Sequence, residues 1–215
     1  MKVMKNKKIK VELGGQMYEL NAKCLRENTY GAGKNVGKYL YISHAEAGSL
    51  VKQYVKKMYG KQDVIVKVSS SSFSMGNSLT VYVHDKMGKP VSQEIYQDIE
   101  NFAELWEYGK FNGMFDIYED YEKSGAVSDN GTTIQAGVKY VNVYNRAKFG
   151  TMEAILYEVM EEGREFGEVT KFYTDSTTKN QVVRAQKVLS ELGKISHKVN
   201  IKSLEFTKLF TTFIM

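Results

Sequence analysis

A chain of 215 residues, 42% hydrophobic and 26% charged, is long enough to bury one large core or two small ones. One cysteine, Cys24, excludes a disulfide framework and a multi-cysteine zinc site and fits a reducing cytosol, and three scattered histidines, His44, His84 and His197, argue against a histidine cage. The net charge of +5 traces to Lys2, Lys5, Lys7, Lys8 and Lys10, which stand in the first ten residues without an acid; the excess reads as a solvated basic tail, or alternatively as an arm that touches phosphate.

In chain order, "KKIKVELGGQMYELN" alternates apolar and polar residues on both sides of Gly14-Gly15, which predicts a β-hairpin from Lys8 to Asn21. "TYGAGKNVGKYLYIS" misses the phosphate-cradling motif, since Ala32 replaces its first glycine and Tyr39 its magnesium-binding hydroxyl; a glycine loop leading into a strand from Tyr39 to Ile42 is expected instead. Ser43 with Glu46 forms a capping-box pattern ahead of Leu50, Val51, Tyr54, Val55 and Met58 at helical spacing, closed by Gly60. "DVIVKVS" and "SLTVYVH" read as antiparallel strands joined by a mobile serine-rich connection, Ser69 to Asn77. Ser92 caps a second helix, Gln93 to Tyr108, with Ile95, Ile99, Phe102, Leu105 and Trp106 on its apolar face.

Next comes "FNGMFDIYEDYEKSG", where four carboxylates are set among aromatic rings. If Gly113 to Tyr121 turns into a helix, Asp116, Glu119 and Asp120 share one face at i, i+3 and i+4, a spacing that could gather a magnesium ion. No further acid or base completes such a set. The competing reading buries Phe111, Met114, Phe115 and Tyr118 and leaves the carboxylates in water, where they form an anionic surface for a basic partner. "SGAVSDNG" reads as a loop, and "TTIQAGVKYVNVYNR" as one β-prone strand with Tyr140, Asn142 and Tyr144 on one side. Beyond it, "TMEAILYEVMEEG", "EVTKFYT", "DSTTKNQVVRAQKVLSELG" and "ISHKVNIKS" suggest helix, strand, helix, strand. The chain's last residues place Phe206, Leu209, Phe210, Phe213 and Ile214 on one helical stripe that docks at home or meets a second subunit.

The central third resembles the large polyvalent protein-associated domain family of phages and conjugative elements. The resemblance rests on the serine-rich turn before Ser78 to Val83, Asp85 with Pro90, the Phe111-Asn112-Gly113-Met114-x-Asp116-x-Tyr118 run, and Gly137 with Lys139-Tyr140-Val141, over residues 43–146. It departs in the strand exit "VHDKMGKP", which lacks a tighter Trp-containing turn. The resemblance implies a phage or mobile-element origin and an early role against host defences or in handling incoming DNA. It brings no catalytic residues.

The expected fold is α+β, an antiparallel sheet with helices on one face. Residues 1–42 form a hairpin and glycine loop, 43–150 a central domain, and 151–215 a helix/strand extension with an apolar tail. The expected function is non-enzymatic: a cytoplasmic protein that counters a restriction or CRISPR-type system by occupying a protein or nucleoprotein surface, with no cofactor, metal or membrane. Its contact residues would be Asp116, Tyr118, Glu119, Asp120, Tyr121 and Glu122. The alternative is a nucleic-acid-binding module that uses the basic terminus with Lys139, Tyr140, Tyr144, Arg146 and Lys148; a magnesium-dependent nuclease is the third reading. His84 beside Asp85 could pair as base and orienting acid but has no nucleophile at a recognisable spacing, and Cys24 reads as a small buried side chain.

Overall fold

The computed structural model describes residues 2–30, 37–74, 76–107 and 132–148, the stretches 110–112, 117–119 and 127–129, and residues 151, 153, 154 and 157. The chain forms two compact units, Met1–Val83 with Val91–Asn145, and His84–Pro90 with Arg146–Met215. In chain order the strands are β1 (Lys2–Leu13), β2 (Gln16–Tyr30), β3 (Gly37–Ile42), β4 (Ile65–Phe73), β5 (Gly76–His84), β6 (Lys110–Asn112), β7 (Ile117–Glu119), β8 (Val127–Asp129), β9 (Thr132–Ala136) and β10 (Tyr140–Tyr144). The helices are α1 (His44–Tyr59), after β3, and α2 (Gln93–Glu104), after β5. The class is α+β.

β1 and β2 pair antiparallel along their length, and Leu13 opposite Gln16 leaves a two-residue turn. Gly14 and Gly15 take φ of 57 and 76 there, as the primed hairpin turn requires. The predicted hairpin is therefore present but longer at both ends. The basic amino terminus is not a tail: Lys2, Lys5, Lys7, Lys8 and Lys10 all belong to β1, held by main-chain pairing to β2. Asn6 has a φ of 50 and drops out of that pairing. On its far side the inward phase shifts from Ile9 and Val11 to Met4, and on β2 from Tyr18, Leu20 and Ala22 to Leu25, which carries the ribbon around a corner.

Five strands close into a barrel in the order β1-β2-β3-β9-β8. β3 and β9 run parallel, and the other neighbours run antiparallel. Ile9, Val11, Leu20, Leu25, Leu40, Ile42, Ile134 and Ala136 fill it. Each large side chain buried in this way contributes about 1.5–3 kcal/mol relative to exposure. β8 lies inside the segment that the sequence suggested was a loop; three residues carry little periodicity, and their pairing to β1 and β9 makes the strand.

α1 begins as predicted, with Ser43 Oγ accepting from the Glu46 amide at 3.2 Å. The second half of the capping box is used elsewhere: Glu46 Oε1 accepts from the Lys23 amide at 2.6 Å, and Gln53 exchanges two bonds with the Asn21 main chain. These side chains dock α1 on β2. α2 stops at Glu104, four residues before its predicted end, because Leu105 caps it and the chain turns Trp106 into the core. Phe102 stacks on Tyr54 of α1 at 3.9 Å between centroids, and Trp106 meets Phe102 edge-on at 6.1 Å.

A second sheet has the order β10-β5-β4. β4 and β5 are separated by two residues, which makes them antiparallel; β10 runs parallel to β5. The serine run expected to be a mobile connection is strand up to Phe73, and Ser71 Oγ meets Ser78 Oγ at 2.7 Å across the pair. Serine has no strong preference of its own here, so the partner strand decides. The segment read as one strand, Thr132 to Tyr144, serves two sheets: Gly137 donates to the Ile42 carbonyl of β3 and Lys139 to the Asn77 carbonyl of β5, so three residues carry the chain from barrel to sheet. β6 and β7 form a small antiparallel pair, Lys110 to Glu119 and Phe111 to Tyr118. Ile117–Glu119 is thus strand where a helical i, i+3, i+4 face was considered, and Asp116 and Asp120 lie outside the described residues. The regular elements predicted beyond Thr151, with the apolar tail, lie outside the described residues. No described helix is long and apolar enough to cross a membrane.

Candidate nucleic-acid interface

Two surfaces of the first unit bring cationic and aromatic side chains together. The first is the outer wall of the barrel. Since Leu25, Leu40 and Ile42 point inward, alternation turns Arg26, Tyr39 and Tyr41 outward. Register sets Val3, Arg26, Tyr41 and Gln135 on one rung across β1, β2, β3 and β9. Lys5 opposite Cys24, and Asn28 opposite Tyr39, lie on the neighbouring rungs, with Asn28 Nδ2 donating to the Tyr39 hydroxyl at 3.2 Å. Tyr41 leans over Gly137, where any Cβ would overlap its hydroxyl. On the outward phase of β1 and β2, Lys5, Lys8, Lys10 and Arg26 stand against Glu12 and Glu19, so the wall carries a net positive charge. Farther along, Lys8 pairs with Glu19 at 2.8 Å, and its ammonium pKa is raised by that hydrogen bond and charge. Cys24, expected to be buried, is half-buried on this wall because its strand has changed phase at the corner.

The second surface is the outer face of the β10-β5-β4 sheet. Val66, Val68, Leu79, Val81 and Val83 face the helices, which leaves the alternate positions outside. Tyr140 lies opposite Ser78, Asn142 opposite Thr80, and Tyr144 opposite Tyr82. Tyr82 and Tyr144 stack at 5.4 Å between centroids; Phe73 reaches from β4 to stack on Tyr140 at 5.9 Å. Lys139 Nζ stands 5.5 Å from the centre of the Tyr140 ring. The stem of Lys139 crosses Gly76, whose φ of 150 and missing Cβ make room for it.

Of the residues predicted for nucleic acid, Lys139, Tyr140 and Tyr144 meet on this face, with the tyrosines on one side as expected. Arg146 and Lys148 belong to the second unit. Phe73 and Tyr82 were missed. The parity of "SLTVYVH" already placed Tyr82 with Thr80 and Ser78, whereas Phe73 was hidden by the loop assigned to the serine run. Asp116, Asp120, Tyr121 and Glu122 of the expected anionic contact surface lie outside the described residues, and Tyr118 and Glu119 are described by the β7 backbone alone.

His84 and Asp85 do not form a base and its orienting acid. His84 is buried and its Nδ1 donates to the Asp85 main-chain carbonyl at 2.6 Å, while the Asp85 carboxylate accepts from the Met87 and Lys89 amides and holds a turn. Among the described residues no three His, Cys, Asp or Glu side chains converge as a metal site would need. No protein-family model, curated protein or solved structure matches the chain.

Proposed function

We propose that the protein binds single-stranded nucleic acid along the outer wall of its barrel. The observation that carries this reading is the rung Val3-Arg26-Tyr41-Gln135 with Lys5, Asn28 and Tyr39 beside it, cations and rings fixed on three adjacent strands. Cations held on paired strands neutralise phosphates without first having to be ordered, and outward tyrosines offer surfaces on which bases stack. Five-stranded Greek-key barrels of the OB type use the face of their second and third strands to bind oligonucleotides and oligosaccharides. The strand order here, with a helix after β3 and a parallel β3–β9 pair, invites that analogy of fold. Between those two ligand classes, the excess of positive charge favours the polyanion.

The test is fluorescence anisotropy of a labelled oligothymidylate titrated with the full chain across a salt series. Each phosphate neutralised contributes about −0.7 to the slope of log K against log salt for a single strand. Lys5→Ala and Arg26→Ala should each flatten the slope by about that amount. Tyr41→Ala should cost about 1–3 kcal/mol of binding with the slope kept. Absence of binding at low salt, or a slope untouched by both cation variants, would remove the reading.

A further inference from the structure

The barrel wall leaves unused the ring-bearing face that the second sheet presents. We infer that the outer face of the β10-β5-β4 sheet is a separate binding surface for the unstacked bases of a single strand. It shares with the barrel reading the class of ligand, and its geometry stands apart from the wall.

Three observations converge on it. The rings come as two stacked pairs whose outermost members stay open to solvent, Phe73 at 45% and Tyr144 at 37% exposure, which is unusual for large rings in a protein that buries Trp106 and Phe102 completely. The outward positions of β4, β5 and β10 carry rings, hydroxyls and an amide and no carboxylate, and Lys67 and Lys139 stand beside them, a charge pattern that suits a phosphate chain. Hydroxyls and the exposed Asn142 amide occupy the strip between the ring pairs, where base edges can be hydrogen-bonded.

The spacing selects a single strand. Tyr140 and Tyr144 are four residues apart on one strand, a span of about 13 Å at a rise of ~3.3 Å per residue. Bases in a stacked helix are ~3.4 Å apart along each strand and cover one another's faces. A duplex therefore offers no ring surface to this sheet, whereas a splayed strand can lay one base on each pair and pass the linking nucleotides over the polar strip.

An oligothymidylate carrying one 2-aminopurine reports stacking directly, because its fluorescence is quenched when the base lies on an aromatic ring. With the full chain, quenching should appear on binding. Phe73→Ala and Tyr144→Ala should each weaken affinity by about 5- to 150-fold, the range found for loss of one stacked base, and lower the quenching at saturation. Tyr144→Phe should restore both, since it keeps the ring. Circular dichroism of each variant separates this from unfolding, and both rings are exposed enough to be removed without opening the core. Lys5→Ala with Arg26→Ala should weaken affinity while leaving saturated quenching intact. If sheet variants lose quenching and the wall variants lose nothing, the barrel reading falls and this one stands. Unchanged quenching and affinity in Phe73→Ala and Tyr144→Ala, or tighter binding of duplex than of single strand, overturns the inference.

Discussion

Asp98 on α2 is the single acceptor for two phenols of α1: Tyr54 donates to Oδ2 at 2.7 Å and Tyr59 at 2.5 Å. Replacing it with alanine removes both bonds at once. Hydrogen bonds to a charged acceptor are worth about 1.5–3 kcal/mol each, and a buried donor left alone loses its solvation as well. Tyr54 is fully buried and pinned against Phe102, so its hydroxyl has no route to water. Tyr59 is only partly buried, and water can replace part of its loss. The sum for Asp98→Ala is therefore about 3 kcal/mol, and for Asp98→Asn, which keeps a neutral acceptor, about 1 kcal/mol. Tyr54→Phe removes the donor together with its need for a partner, so it should cost about 1 kcal/mol and reduce the effect of Asp98→Ala when the two are combined. Trp106, the one tryptophan, is fully buried and in edge contact with Phe102, which makes its fluorescence a reporter of this packing in urea unfolding. With an m-value of about 2 kcal/mol/M, the midpoint for Asp98→Ala should fall by about 1.5 M. A shift below about 0.3 M, or simple additivity with Tyr54→Phe, would refute the claim that this carboxylate joins the two helices.

Three other expectations follow from the same physical reasoning. The phenols of Tyr54 and Tyr59 are held well above the ordinary range, first by burial and then by Asp98, and Tyr96 is pushed up to about 12 by burial and by Glu100. Unfolded tyrosine ionises near pH 10, so the stability these groups contribute is complete below that pH and is lost as pH rises beyond it; absorbance at 295 nm should show fewer than the 15 tyrosines titrating before Trp106 fluorescence reports unfolding, and a single transition of all of them near pH 10 in folded protein would contradict this. Glu46→Ala orphans the Lys23 amide and should cost about 2 kcal/mol in urea unfolding, whereas Glu46→Gln, which keeps an acceptor, should cost less than about 1 kcal/mol. Gly137→Ala forces the Tyr41 ring off the barrel wall, costing about 1–2 kcal/mol of stability that Tyr41→Ala in the same chain should largely return, as thermal melts of the single and double variants will show.

Segments governed by short-range chemistry were legible in the sequence. Gly14-Gly15 required positive φ whatever surrounded it, Ser43 and Ser92 could cap only what followed them, and the apolar spacing of α1 and α2 selected their buried faces. Tyr140, Asn142 and Tyr144 were placed on one side by the two-residue repeat of a strand. What the candidate surfaces needed beyond this was non-local. The start of β1, ahead of Lys8, reads as a charged tail until β2 pairs with it, and the serine run reads as a loop until β5 lies beside it. Barrel closure joins β3 to β9 across some ninety residues, and no local signal records which distant strand will satisfy a given row of amides. Side-chain preferences act over a few residues, whereas the hydrogen bonds and burial that hold a strand come from partners the chain brings together only on folding; the helices and the tight turn were therefore legible in the sequence, while strand pairing decided the edges of β1, the serine-rich end of β4, β8 and the conversion of lysines and tyrosines into two surfaces.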